Sequence, residues 1–174
     1  MKFLRTIALG ASLTLLVSGV LAGDRTGILV GLSSDLFSVP LSETSCITRS
    51  TAVTAGYAIN SELHVDLSLE NRLQLDTQQF SFDSFNGLGL GVGYRLRNSP
   101  VEFTVLMVKG LSDISSSKNF AAQGGVNWLF SDHFYLGTGL RYDSWESNRL
   151  IQGEKGSYNW YCKLGIRIQF GKKK

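Results

Sequence analysis

Ser157-Tyr-Asn-Trp-Tyr-Cys-Lys-Leu-Gly-Ile-Arg-Ile-Gln-Phe170 is the stretch whose reading decides the fold. Successive side chains of a strand point to opposite faces. Tyr158, Trp160, Cys162, Leu164, Ile166, Ile168 and Phe170 therefore share one side, and Asn159, Tyr161, Lys163, Gly165, Arg167 and Gln169 the other. One face is oily and the other carries two cations. In a soluble sheet protein the oily face would be the core. The rest of the chain has to say which face meets water.

Working outward, the same period of two recurs seven more times. Ile28, Val30 and Leu32 alternate with Gly27, Leu29 and Gly31 over 26–33, and a loop is expected over 34–46. A second strand, 47–59, sets Val53, Ala55, Tyr57 and Ile59 against Ser50, Ala52, Thr54, Gly56 and Ala58. Asn60-Ser61 turns the chain into a third, where Leu63, Val65, Leu67 and Leu69, continued by Leu73 and Leu75, interleave with His64, Asp66, Ser68, Glu70 and Arg72. A polar loop over 76–81 precedes a fourth strand, with Leu88, Leu90, Val92, Tyr94 and Leu96 opposite glycines, Arg95 and Arg97. Asn98-Ser99-Pro100 is the next turn. Strands over 101–109, 120–130 and 134–143 follow, joined by a Ser-rich loop, the turn Ser131-Asp132-His133 and a long loop over 145–156. Eight strands of about the 9–11 residues that cross a bilayer when tilted, with alternating long and short connections, predict an up-and-down barrel.

Two features argue that the oily face points outward. Glycines crowd the opposite face, at 31, 56, 87, 89, 91, 93, 125, 137, 139 and 165. Exposed strand glycine has no packing reason to recur, whereas inside a narrow eight-stranded barrel it makes room for long neighbours such as Arg95, Arg141, Tyr161 and Lys163. Aromatic residues also gather near strand ends: Tyr57, Tyr94, Trp128, Phe130, Phe134 and Phe170 at the short-turn side, Phe120, Tyr142, Tyr158 and Trp160 at the other. Membrane barrels carry two such girdles. The inverse arrangement, a soluble lipocalin-like periplasmic carrier with an apolar interior, is the competing fold; the first strand lacks the Gly-x-Trp that lipocalins usually carry.

Residues 1–22 read as a cleaved export signal, with Lys2 and Arg5 before an apolar run from Ile7 to Leu21 and small residues at Ala22-Gly23. The barrel domain is expected over 23–174. Of the net charge of +3, two units belong to Lys2 and Arg5, so the remainder is near +1 and gives no basic surface for nucleic acid. Two cysteines, Cys46 and Cys162, make a weak disulfide framework.

The export signal, the eight alternating strands and the ending Lys163-Leu-Gly-Ile-Arg-Ile-Gln-Phe170 resemble the small bacterial outer-membrane barrels of the OmpA/OmpX type. That resemblance implies an all-β, eight-stranded antiparallel up-and-down transmembrane barrel in the outer membrane of a Gram-negative bacterium. It implies contact with outer-membrane lipid, and an assembly signal on Lys163, Gly165, Ile168 and Phe170 read by the barrel-assembly machinery. The chain departs from many members in continuing past the aromatic with Gly171-Lys172-Lys173-Lys174.

In such a barrel the inward ionisable residues are His64, Asp66, Glu70, Arg72, Arg95, Arg97, Glu102, Arg141, Asp143, Lys163 and Arg167. Charges kept from water persist when paired and hydrogen-bonded, so a salt-bridge network filling the lumen is expected. Glu102 with Arg97, Asp66 with Arg95, and Asp143 with Lys163 are the pairs that neighbouring strands suggest. An ion-selective pore is the functional alternative to this polar plug. A second alternative is a lipid-modifying deacylase or acyltransferase, whose histidine must sit beside a nucleophile at the outer-leaflet level. His64 and His133 instead fall at the opposite, periplasmic end, and two histidines make no metal cluster. The alternating glycines of 87–93 run on into a strand, not a helix, and so fail as a phosphate loop. No cofactor is expected. A monomeric, non-enzymatic envelope or surface-interaction protein is the expected function. The outer loops are the place for a ligand that the sequence does not name. Arg49, outward near the outer rim, suits a lipid phosphate or simple snorkelling, and the lysine tail suits anionic headgroups or water.

Overall fold

The structure, a computed structural model, describes residues 25–41, 46–76, 81–111, 120–144 and 156–173. Eight antiparallel strands form one closed barrel in chain order: β1 (Arg25–Pro40), β2 (Cys46–Ala58), β3 (Leu63–Asp76), β4 (Ser81–Arg95), β5 (Val101–Gly110), β6 (Phe120–Leu129), β7 (Phe134–Ser144) and β8 (Gly156–Lys173). β8 closes on β1 over fifteen register pairs, from Arg25 with Lys173 to Pro40 with Asn159. Closure leaves no edge strand to be protected. The expected export segment and the expected loops over 112–118 and 145–155 lie outside the described residues.

One cross-strand row fixes the tilt. From Phe134 it passes through Ile166, Leu32, Val53, Leu69, Leu88, Lys109 and Phe120, and returns to β7 at Ser144, ten residues above its start. Such a stagger requires the strands to lean, by about 35–45° in barrels of this kind.

The polarity is inside out. Along β3, Leu67 and Leu69 are 55% and 59% exposed, while Ser68 and Glu70 between them are 1% and 3% exposed. Val105 and Leu90 are likewise near 60% exposed. Each such side chain left in water would forgo about 1.5–3 kcal/mol of burial. A continuous apolar belt on a closed barrel therefore calls for hydrocarbon around it.

Two strands, β1 and β4, differ from the sequence expectation. β1 does not stop at Ser33 but runs to Pro40, because a bulge between Asp35 and Phe37 inserts Leu36. Leu36 and Phe37 both face out and Asp35 and Ser38 both face in, so the simple alternation breaks while the strand continues. β4 begins at Ser81, its backbone paired with β3 from Asp76 onward, where the sequence suggested a loop and then a start near Gly87. β4 also ends at Arg95, so Leu96 and Arg97 belong to the turn. In consequence the connections after β1 and β3, 41–45 and 77–80, are short, and the rhythm of long and short loops does not hold there.

Candidate functional site

The bore carries two layers of ion pairs. In the layer nearer the 41–45 end, Arg72 on β3 donates from Nη1 to Asp143 Oδ1 on β7 at 2.6 Å, and its Nη2 pairs with Glu70 at 2.7 Å. β3 and β7 are diametrically opposite in an eight-stranded ring, so this bond spans the lumen. Arg141 binds Asp143 at 3.1 Å and Asp35 at 2.7 Å, and donates to the Thr48 carbonyl. Ser50 ties the acids together: its N–H donates to Asp35 at 2.8 Å and its hydroxyl to Glu70 at 2.9 Å. Arg72, Arg141 and Asp143 are at most 1% exposed.

The second layer lies nearer the chain ends. Arg167 on β8 donates two hydrogen bonds to Glu102 on β5, Nη1 to Oε2 at 2.7 Å and Nη2 to Oε1 at 2.8 Å. Such a fork is the strong form of the pair. Asn127 donates to the same carboxylate at 2.9 Å. His64 stands between acids, 3.1 Å from Asp66 and 3.7 Å from Glu102. Arg95 sits at the mouth, where its Nε donates to the Ser99 carbonyl at 3.2 Å. Lys163 links the layers from between two rings, its Nζ 5.8 Å from the Tyr135 centroid and 5.7 Å from that of Tyr161. A cavity of about 60 Å³ lies between the layers, touched by Asp35, Asp66, Glu70, Lys163 and Arg167. Another of about 50 Å³ opens at the mouth beside His64, Arg95 and Glu102.

The inward glycines are matched to these side chains. A Cβ on Gly93 would fall within the His64 ring, one on Gly56 against the Asp66 carboxylate, and one on Gly165 against the Tyr135 ring. Space, not backbone freedom, is what these positions supply.

Against the expected network, the structure brings together His64, Asp66, Glu70, Arg72, Glu102, Arg141, Asp143 and Arg167, and places Arg95 and Lys163 beside them. Arg97 is not among them; it is exposed in the turn after β4. The three suggested pairs do not form. Glu102 takes Arg167 instead of Arg97, Asp66 takes His64 instead of Arg95, and Asp143 takes Arg72 and Arg141 instead of Lys163. Three of these bonds, Arg72 to Asp143, Glu102 to Arg167 and Arg141 to Asp35, run between strands that are not neighbours. Asp35 was missed because the bulge hid its strand; a polar, apolar, apolar, polar run over 35–38 is the signal that could have found it.

Of the two histidines, His64 is buried in the bore and His133 lies in the turn between β6 and β7, with Nδ1 3.3 Å from the Arg167 carbonyl. Among the described residues no three of His, Cys, Asp and Glu are grouped to hold a metal. Cys162 is a buried free thiol, which excludes the disulfide with Cys46.

No protein-family model matches the sequence, and no curated protein does. Solved structures do resemble it. The N-terminal β-barrel domain of Pseudomonas aeruginosa OprF is 10% identical, with a TM-score of 0.51 over 83% of this chain and 99% of that one. The Yersinia pestis outer-membrane protein Ail is 15% identical, with a TM-score of 0.48 over 84% and 100% of the two chains. A designed transmembrane β-barrel gives 14% identity and a TM-score of 0.47. What is shared with the OprF domain is the fold. Together with the oily exterior it makes the chain a small eight-stranded transmembrane barrel of the outer-membrane type.

Proposed function

We propose that this barrel is an integral outer-membrane protein with a structural or surface-interaction role, closed to ion flow and without catalytic activity. The observation that supports the reading is the pair of ion-paired layers across the bore, in which buried charges meet partners from as far as the opposite wall. The connections over 59–62, 96–100 and 130–133 and the chain ends face the periplasm, and the strand ends joined by the other four connections, two of them long, face outward. The chain acts as a monomer, takes no cofactor and meets outer-membrane lipid on all sides. Its last strand, with Lys163, Gly165, Ile168 and Phe170, is the segment the assembly machinery engages.

Catalysis is disfavoured by placement. His64 is committed to two carboxylates in the periplasmic half of the bore, and His133 sits in a periplasmic turn. Neither stands at the outer-leaflet level that lipid chemistry requires. Purified protein in a planar bilayer should give no discrete conductance steps, whereas Glu102→Ala combined with Asp143→Ala, which opens both layers, should give small ones. Steps from the unaltered protein would refute the plug.

A further inference from the structure

The charges of the bore balance in one layer and fall short by one cation in the other. In the layer nearer the 41–45 end, Asp35, Glu70 and Asp143 meet Arg72 and Arg141. Lys163 borders the same cavity as Asp35 and Glu70 and supplies a third cation. In the layer nearer the chain ends, Asp66 and Glu102 face the guanidinium of Arg167. Arg95 does not make up the difference, because it stands at the mouth with Glu62 and Asp132, and its Nε donates to the Ser99 carbonyl. Among the described residues, the group left to carry a second positive charge in this layer is His64. Uncompensated charge inside a protein wall is costly, so the shortfall has consequences.

The surroundings of that ring suit its charged form. Its nitrogens face acids on two different strands: Nε2 lies 3.1 Å from Asp66 Oδ2 on β3, and Nδ1 lies 3.7 Å from Glu102 Oε2 on β5. A neutral imidazole donates from one nitrogen and presents a lone pair on the other, whereas the imidazolium donates from both. A neutral ring would therefore turn a lone pair toward one of the two carboxylates. Nε2 is buried without a hydrogen bond of good geometry, so attraction between charges is what this place offers the ring. On β4, Gly93 leaves the space that the ring fills. On β2 the neighbours are the uncharged Gly56 and Ala58, and on β6 the neutral Asn127 is bonded to Glu102. A cavity of about 50 Å³ beside the ring opens at the periplasmic mouth, large enough for water and so for proton exchange.

We infer that His64 is a proton-binding site, and that its imidazolium completes the ion-paired layer closing the periplasmic half of the bore. The inference rests on the plugged bore proposed above. With the ring charged, His64 and Arg167 are matched by Asp66 and Glu102. With the ring neutral, the two carboxylates share Arg167 alone, and the layer carries an unmatched negative charge. Because the carboxylates hold the charged ring, the stabilisation is present at low pH and is lost as pH rises. That is the opposite sign to acid unfolding, in which paired carboxylates take up protons. The proton enters from the mouth cavity, so the lower layer responds to the acidity of the periplasmic side.

The test is nitrogen NMR of the imidazole rings in the lipid-embedded barrel, with His133→Asn identifying the signal of His64. At about pH 7 both nitrogens of His64 should carry protons, and Asp66→Asn, which removes the unmatched charge, should leave the ring neutral. A neutral ring in the unaltered barrel, or a ring indifferent to Asp66→Asn, overturns the inference. Stability gives a second reading. Between about pH 6 and about pH 9 the unfolding equilibrium constant in urea should rise about tenfold more for the unaltered barrel than for His64→Gln. Equal rises overturn the inference too. Planar-bilayer recording keeps it apart from the reading it rests on. Conductance steps from the unaltered barrel at about pH 6 refute the plug itself, while a silent barrel with a neutral ring refutes the proton site alone.

Discussion

Glu102 is the residue on which the lower layer depends, since its carboxylate receives two bonds from Arg167 and one from Asn127 and faces His64. Removing one partner of a buried pair leaves the other charge uncompensated, at a cost of about 3–5 kcal/mol. Glu102→Gln should lower the unfolding free energy of the vesicle-embedded protein by that order, read as a fall in its urea midpoint, and Glu102→Gln with Arg167→Met should recover much of the loss. An unchanged midpoint for the single variant would mean that water already solvates Arg167. Gly165 invites a second cycle, because a Cβ there meets the Tyr135 ring. Gly165→Ala should destabilise by about 1–3 kcal/mol, and the cost should shrink in a Tyr135→Val background. Equal costs in both backgrounds would show that the ring is not what Gly165 accommodates. The identity of the inward residues could be read from alternation alone. Their partners could not, because Arg72 and Asp143 are seventy-one positions and four strands apart and meet only through closure.

At the scale of the strand, β1 shows what periodicity reads and what it misses. Up to Ser33 the alternation is clean, and the sequence places each side chain on its proper face. Beyond it, one extra residue puts Leu36 and Phe37 on the same side, and the continuing strand looks like a loop. The start of β4 hides for a similar reason: Phe82 and Phe85 are three apart, a spacing that suits no strand face. The bulge also gives a test. Deleting Leu36 leaves Asp35 and Ser38 inward and Phe37 outward, so Arg141 keeps Asp35. Deleting Ser34 turns Asp35 toward lipid and strips Arg141 of that partner, a loss of about 3–5 kcal/mol. Heat-dependent migration on gels should persist for the first deletion to a higher urea concentration than for the second. Equal behaviour would mean that the bulge relocates freely.

For the whole molecule the decisive property is which side of the wall meets hydrocarbon. A cysteine at Leu67 should react with a lipid-soluble maleimide in vesicles, and one at Ser68 should be protected, both in a background that carries Cys46→Ser and Cys162→Ser. The opposite pattern would make the protein a soluble carrier. The general architecture was legible because a period of two with a fixed sign holds over the greater part of every strand, β1 up to its bulge included. Wall height was less so: β1 to β4 and β8 each run to 13 residues or more, against 10 or 11 for β5 to β7. The bond from Arg72 to Asp143 acts as a tie rod across the diameter, and those from Arg141 to Asp35 and Arg167 to Glu102 as chords. A tube braced in this way resists being squashed into an ellipse. Changes in lateral pressure from the surrounding leaflet should then pass around it without altering its cross-section, which suits a fixed post and not a tension sensor.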